Sequence, residues 1–163
     1  MSEFIEASTG ETVEVLSGIH GRGPVVKGFQ RGREIGVRTA NLDPAANSNA
    51  LSTARNGVYC GWASVDGGEA HMALVSIGYN PFFKNESKTV EAHLLHEFPE
   101  DFYGAELRLV LCGYLREQSD FTSLDALMDQ IRRDIDVGRE VLQREAMLSQ
   151  QALLSTLKIN TVT

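Results

Sequence analysis

Strand-like segments lie at residues 57–66, 69–79, 89–97 and 106–116 of this chain, and hydrophobic and polar residues alternate in the last two. A period of two places successive side chains on opposite faces and is typical of β-strands with one buried face. Gly67-Gly68 separates the first two segments, and glycine tolerates the positive φ of a tight hairpin turn. Short strands joined by turns rich in Gly, Asn and Pro predict an antiparallel barrel or sandwich.

The hydrophobic period changes near residue 122. Thr122-Ser123-Leu124-Asp125 is typical of a helix start with a capping box. Apolar residues then recur at helical spacing as Leu124, Leu127, Met128, Ile131, Ile135 and Leu142. The pattern predicts one long amphipathic helix to about residue 145, packed on the barrel.

These patterns divide the chain into three parts. Residues 1–17 carry four glutamates and no Lys or Arg, so we expect an acidic, weakly ordered arm. Residues 18–145 hold the barrel and its helix. Residues 146–163 form a tail that either extends the helix or leaves it.

Composition narrows the class of protein. The chain has 163 residues, of which 42% are hydrophobic and 23% charged, as in a soluble globular domain. A net charge of −7 disfavours general binding to nucleic acids or anionic membranes. The sequence has neither a transmembrane run nor a signal-peptide pattern at its N-terminus. Cys60 and Cys112 form no CxxC pair or disulfide framework, so we expect small buried side chains and a cytoplasmic location.

A basic, Gly-rich segment stands out in this acidic chain. Residues 18–41 hold five basic residues, one acidic residue and six of the 15 glycines. Glycines let backbone N–H groups approach an anion, and basic side chains supply countercharge, although no Walker or Rossmann motif is present. Thr39 and Asn41 add oxygen donors of the kind that Mg²⁺ accepts. The alternative is a surface loop with solvated arginines.

Glu91 lies in an otherwise apolar strand segment. Val90, Ala92 and Leu94 share one face, and a carboxylate on the other must face solvent or have a partner, because burying it alone is costly. Glu91 is therefore either an ordinary rim carboxylate or a catalytic base. His93 and His96 are three residues apart and point to opposite faces of a strand, so we do not expect them to share a metal ion.

Several segments together resemble the riboflavin kinase family. The residues GFQRGREIGVRTANL at 28–42 resemble its G-x-G-R-G…P-T-A-N-L signature. The segments NGVYCGWASV and VSIGYNPFFKN resemble its central hairpin, and TVEAHLLH with DFYGAELRLVLCGYLR resembles its base-bearing strand and the next strand. The resemblance covers about residues 19–144. Two residues depart from the signature: Arg38 stands where the family has Pro, and Gln30 where it has Gly.

The resemblance implies a mainly β fold, a six-stranded antiparallel Greek-key barrel with a long C-terminal helix packed against it. It implies transfer of the γ-phosphate of ATP to the 5′-hydroxyl of riboflavin, giving FMN and ADP, with Mg²⁺ or another divalent metal. By matched position, Glu91 takes the role of base and Thr39 and Asn41 the metal and phosphate role. The other matched positions are Gly28, Arg33, His96 and Tyr103 toward ATP and Arg116 and Phe121 toward the flavin.

Two alternative functions remain open for a barrel of this kind. A non-catalytic flavin- or nucleotide-binding barrel would need aromatic walls but not Glu91 or the Thr39/Asn41 pair. An oligonucleotide-binding barrel would need a basic groove with stacking aromatics, which this charge distribution does not suit. We expect a monofunctional, eukaryotic-type kinase, because the residues before the match are too few for a nucleotidyltransferase domain. We also expect a monomer that binds neither nucleic acid nor membrane.

Overall fold

Seven β-strands precede a helical C-terminal part. A computed structural model describes residues 3–26, 39–42, 51, 54–78, 89–96, 98 and 103–156. The strands are β1 Glu3–Glu6, β2 Thr12–Val26, β3 Thr39–Leu42, β4 Gly57–Val65, β5 His71–Gly78, β6 Thr89–Leu94 and β7 Glu106–Arg116. The alternation therefore predicts β7 to the residue, whereas β6 ends at Leu94, before the expected position.

Six of these strands close into an antiparallel barrel. Their order is β2-β3-β6-β5-β4-β7, and pairing of β7 with β2 completes the ring. β4, β5 and β6 are consecutive neighbours, and β7 returns to lie beside β4, which is the arrangement of a Greek key. The predicted fold class is confirmed, and closure leaves the six strands without an open edge.

The turn between β4 and β5 shows why the hairpin forms where predicted. Asp66 and Gly67 have φ of 50° and 74°, so the chain reverses through two residues in the left-handed region. The Asp66 carboxylate also accepts a hydrogen bond from the backbone N–H of Glu106 at 2.8 Å. This bond ties the turn to the start of β7.

Residues 3–17 form an ordered hairpin and not the expected weakly ordered arm. β1 pairs with the first part of β2. Val13 is fully buried, and the Glu140 carboxylate accepts hydrogen bonds from the Ser8 backbone N–H at 2.9 and 3.0 Å. A count of charges missed the apolar alternation of Val13 with Val15, which turns one face of this hairpin toward the core.

The apolar residues form two cores, one on each side of the barrel wall. The interior of the barrel is filled by small and branched side chains, among them Leu42, Val75, Ile77, Val90, Leu94, Leu107, Leu109 and Leu111. The outer core lies between the wall and the helices and includes Val13, Cys60, Trp62, Leu74, Val110, Cys112, Val137, Val141, Leu142 and Met147. Both cysteines are buried, as expected, and burial raises the pKa of the Cys60 thiol to about 12.

The long helix, α1, spans Leu124–Leu142. Ser123 caps its N-terminus, because the Ser123 hydroxyl accepts a hydrogen bond from the backbone N–H of Ala126 at 3.1 Å. The expected capping box is wrong in detail, because Ala126 at the third helical position has no side-chain acceptor to return the bond. Gly138 lets α1 approach the wall closely, since a Cβ there would lie 3.1 Å from the Leu74 side chain.

The chain after α1 leaves the helix axis. Two short helices, α2 Glu145–Leu148 and α3 Ala152–Thr156, flank a 3₁₀ turn at Ser149–Gln151. Met147 is fully buried, and its carbonyl accepts a hydrogen bond from the Trp62 indole at 2.9 Å. The helices in the described part of the chain include none long and apolar enough to span a bilayer.

Candidate active site

A cavity of about 720 Å³ lies where the start of α1 faces the barrel wall. One side is formed by strand residues, and the other by the segment after β7 and the first turns of α1. Its described lining residues are Val58, Leu74, Ser76, Glu91, His93, Arg116, Gln118, Ser119, Asp120, Phe121, Thr122, Ser123, Leu124, Leu127, Ile131 and Asp134. The cavity is of the size of small-molecule sites and combines apolar walls with a few polar groups.

Strand pairing brings distant parts of the sequence into one row across the barrel, here called the transverse row. Asn41 pairs with Glu91, Glu91 with Ser76, Ser76 with Val58, and Val58 with Arg116. Side chains of directly paired residues lie about 4.5–5.5 Å apart at Cβ. Four of the five residues line the cavity, and Asn41 adjoins it beside Glu91.

Glu91 stands on the outer face of β6. Its neighbours Val90 and Ala92 are buried in the barrel, which confirms the alternation predicted for this strand. The carboxylate is 22% exposed, and its Oε1 lies 2.9 Å from Nε2 of His93, which is 14% exposed. Glu91 is therefore a half-buried carboxylate with a partner, facing the cavity.

The contact of His93 with Glu91 is not among the features predicted from the sequence, where His93 is set only beside His96 as a possible metal pair. The signal was present, because residues two apart in a strand share a face and His93 follows Glu91 at that spacing.

Arg116 is held at the opposite side of the cavity by α1. Its Nε lies 3.0 and 3.1 Å from the two carboxylate oxygens of Asp134, and its Nη2 lies 2.8 Å from Oδ2. Gln130 donates a further hydrogen bond to Asp134 at 3.0 Å. The guanidinium carbon lies 5.8 Å from the centre of the Phe121 ring, so both predicted flavin-contacting residues lie together.

Thr39 and Asn41 occupy the short strand next to β6. Thr39 pairs with His93, and Asn41, 9% exposed, pairs with Glu91. Within the described ranges, no group of three or more His, Cys, Asp or Glu side chains could hold a metal ion. A hydroxyl and an amide oxygen beside a carboxylate suit a hard cation that keeps waters and phosphate oxygens as its other ligands.

His96 and Tyr103 lie away from this cavity. The His96 ring follows the end of β6 and stacks on His71 with centroids 4.0 Å apart, and both rings contact Phe98 edge-on. Burial, and then the neighbouring His96, lower the pKa of His71. Tyr103 is 37% exposed in the turn before β7, next to Gly104, whose N–H bonds to the Val25 carbonyl.

Gly28 and Arg33, with the departing residues Gln30 and Arg38, lie outside the described residues.

Comparison with known proteins gives consistent matches. The flavokinase family model, described as riboflavin kinase, matches residues 17–142. Human riboflavin kinase is 43% identical over 123 residues, which is 75% of this chain and 79% of the human protein. The crystal structure of riboflavin kinase from Trypanosoma brucei superposes with a TM-score of 0.68 at 29% identity, covering 88% of this chain and 90% of that one.

A longer solved chain shares the same fold region. The crystal structure titled macrolide-efflux protein from Streptococcus pneumoniae gives a TM-score of 0.63 at 32% identity, covering 74% of this chain and 38% of that chain. The family model and the human protein both cover most of the chain. With its closed barrel and the carboxylate at its outer cavity, this chain belongs to the riboflavin kinase family.

Proposed function

We propose that the chain transfers the γ-phosphate of ATP to the 5′-hydroxyl of riboflavin, and that the cavity beside Glu91 is where riboflavin binds. Riboflavin kinase is the activity of the family to which the chain belongs. The transverse row carries the residue-level proposal. It runs from Asn41 through Glu91 to Arg116, so a carboxylate stands between the predicted metal side and the predicted flavin side.

Glu91 suits the role of base in this reaction. Phosphoryl transfer asks a protein mainly for positioning, charge neutralisation and a group that accepts the hydroxyl proton. In the proposed complex the carboxylate accepts that proton as the oxygen attacks the γ-phosphorus and ADP leaves. Arg116 and Phe121 hold the flavin from the other side of the cavity.

The metal and nucleotide positions follow from the short strand β3 and the Gly-rich segment. Thr39 and Asn41 would hold the divalent cation, which we propose is Mg²⁺ and which neutralises phosphate charge when bound. Gly28 and Arg33 would approach the phosphates, and His96 and Tyr103 would contact the nucleotide. Because His96 and Tyr103 lie outside the flavin cavity, two substrates can occupy separate surfaces of one barrel.

A non-catalytic flavin-binding barrel is not favoured. Such a protein would use the apolar walls and the Arg116–Phe121 pair equally well. The Glu91 carboxylate lies on the cavity in cross-strand pairs with Asn41 and Ser76, where the kinase reaction needs a proton acceptor, and a barrel that only binds flavin has no such need.

The setting of the enzyme is also a proposal. We propose a cytoplasmic monomer with no nucleic-acid or membrane partner, supported by two buried thiols and a net charge of −7. We also propose that residues 18–145 carry the kinase unit, with residues 1–17 and 146–163 as extensions of the same domain, since β2 and α2 cross these two bounds. Light scattering during gel filtration tests the monomer, because a mass near 36 kDa, twice the 17.9 kDa of the chain, would contradict it.

The direct test of function is product formation. Purified protein is incubated with riboflavin, ATP and MgCl₂, and FMN is separated from riboflavin by chromatography. We expect FMN in proportion to enzyme and none without ATP. Tight riboflavin binding without any FMN would instead support the non-catalytic barrel.

A further inference from the structure

We propose that His93 is a positioning residue for the reaction: it donates a hydrogen bond from Nε2 to Oε1 of Glu91 and so orients the carboxylate toward the riboflavin hydroxyl. This inference rests on the proposed kinase function. The observation behind it is the 2.9 Å contact between two side chains that share the outer face of β6 and both line the cavity.

The tautomer follows from the surroundings of the ring. Nδ1 of His93 is buried and has no hydrogen-bond partner within the described part of the chain. Hydrogen on Nδ1 alone would leave a buried donor unsatisfied and would set the Nε2 lone pair against the Glu91 carboxylate, 2.9 Å away. Hydrogen on Nε2 makes the bond to Glu91.

A donor at this position suits a carboxylate that acts as a base. The Nε2–H group orients Glu91 through a charge-assisted hydrogen bond. It occupies Oε1 and leaves the second oxygen, Oε2, for the 5′-hydroxyl proton. His93 therefore fixes which oxygen is presented, while the proton transfer itself belongs to Glu91.

Other observations explain how the ring stays in place. The His93 backbone lies in β6 between β5 and β3, paired with Leu74 and Thr39. Its side chain is only 14% exposed, so few rotamers are accessible. Catalytic groups held by packed strand residues are positioned more precisely than those in loops.

The experiment compares His93→Leu with His93→Gln. Leu removes the donor and keeps an apolar side chain, whereas the Gln amide nitrogen can reach the place of Nε2. We expect His93→Leu to lower the single-turnover rate constant by about 10- to 100-fold, which is the loss expected for a misplaced catalytic group. Riboflavin affinity, measured by quenching of flavin fluorescence, should change much less, and His93→Gln should restore a large part of the rate.

Two controls separate positioning from a general loss of structure. His20→Leu removes a half-buried imidazole from β2, outside the described lining of the cavity, and should keep the parent rate. In a double-mutant cycle, His93→Leu should cost little further rate once Glu91→Gln is present, because both act through one carboxylate. Full additivity of the two losses would overturn the proposal.

An independent readout uses no turnover. Nitrogen-15 NMR of the histidine side chains should show hydrogen on Nε2 of His93, and the Nε2 signal should move in Glu91→Gln. Hydrogen on Nδ1, or a signal insensitive to Glu91→Gln, would overturn the inference. A wild-type protein that makes no FMN would refute the kinase function, whereas normal turnover by His93→Leu would refute only the role of His93.

Discussion

At the scale of single residues, the site depends on which oxygen donors lie side by side. Asn41 and Glu91 are opposite each other on β3 and β6. Thr39, two residues before Asn41 in β3, lies on the same face. In the proposed complex, the amide and the hydroxyl hold a hydrated divalent cation next to the carboxylate that acts as the base. Each can be changed without adding volume.

Thr39→Val and Asn41→Ala test the metal assignment. Each removes one oxygen donor, so we expect lower kcat and a higher Mg²⁺ concentration at half-maximal rate. Riboflavin binding without nucleotide should stay close to that of the parent. The measurement is FMN formation across a Mg²⁺ titration, with urea unfolding to check the fold. An unchanged Mg²⁺ dependence in both variants would contradict the assignment.

Much of the site chemistry is visible in the sequence, but its assembly is not. Alternation predicts that Glu91 faces away from Val90 and Ala92, and this is confirmed. Alternation does not predict which residue of another strand lies opposite, because register depends on turns and on packing between distant segments. For the same reason the row from Asn41 to Arg116 becomes visible only in the folded barrel.

At the scale of elements, α1 is joined to the barrel by a buried ion pair. Asp134 on the helix is 6% exposed at its side chain and binds Arg116 at the end of β7. This pair holds one wall of the cavity against the other. The sequence predicts the helix but not the pair, because an acidic residue in an amphipathic helix is normally assigned to the solvent face.

Asp134→Asn tests this connection. The substitution keeps the shape of the side chain and removes its charge, so we expect a loss of about 2 kcal/mol in unfolding free energy, as for hydrogen bonds to charged groups. KM for riboflavin should also rise, because Arg116 loses its orientation. Urea denaturation and steady-state kinetics measure the two effects.

Asp129→Asn is the matched control. Asp129 is 69% exposed and pairs with Arg132 on the same helix at 3.2 Å, so the change should cost less than about 0.5 kcal/mol. Equal losses in the two variants would show that burial of the Asp134 pair contributes nothing.

The contact of β4 with β7 depends on a glycine. A Cβ at Gly61 would lie much closer to the Val110 carbonyl oxygen than the van der Waals contact distance. The register of β4 against β7 shifts at this point. Gly61→Ala should therefore lower the unfolding free energy by about 2–3 kcal/mol, because the strands must separate. Gly68→Ala, whose Cβ would lie 3.1 Å from the Val65 carbonyl, should cost clearly less. Similar losses would contradict the close approach.

At the scale of the whole molecule, the barrel carries separate features on its wall. The proposed flavin cavity lies against α1, and the stacked pair of His71 and His96 lies outside its described lining. Closure through β2 and β7 makes both surfaces parts of one barrel. A protonation that favours the unfolded chain at acidic pH therefore destabilises both surfaces together.

The His71 pair predicts how stability depends on pH. The pKa of His71 is lowered from 6.5 in the folded protein, so the unfolded chain binds more protons in the window below that value. Stability should therefore be full above about pH 6.5 and should fall as the pH drops through the folded-state pKa. His71→Phe keeps a ring in the stack and should show a smaller loss of unfolding free energy between about pH 7.5 and pH 5.5. An identical loss in the parent and the variant would contradict this.

The central claim is that Glu91 is the base, and Glu91→Gln tests it most directly. Glutamine keeps the size of the side chain but has no charge to accept the hydroxyl proton. We expect the single-turnover rate constant to fall by at least about 100-fold, within the usual contribution of general base catalysis. The affinities for riboflavin and ATP should change little. Glu145→Gln, an exposed change on α2, should leave the rate unchanged. A Glu91→Gln variant that keeps most of the parent rate would contradict the account.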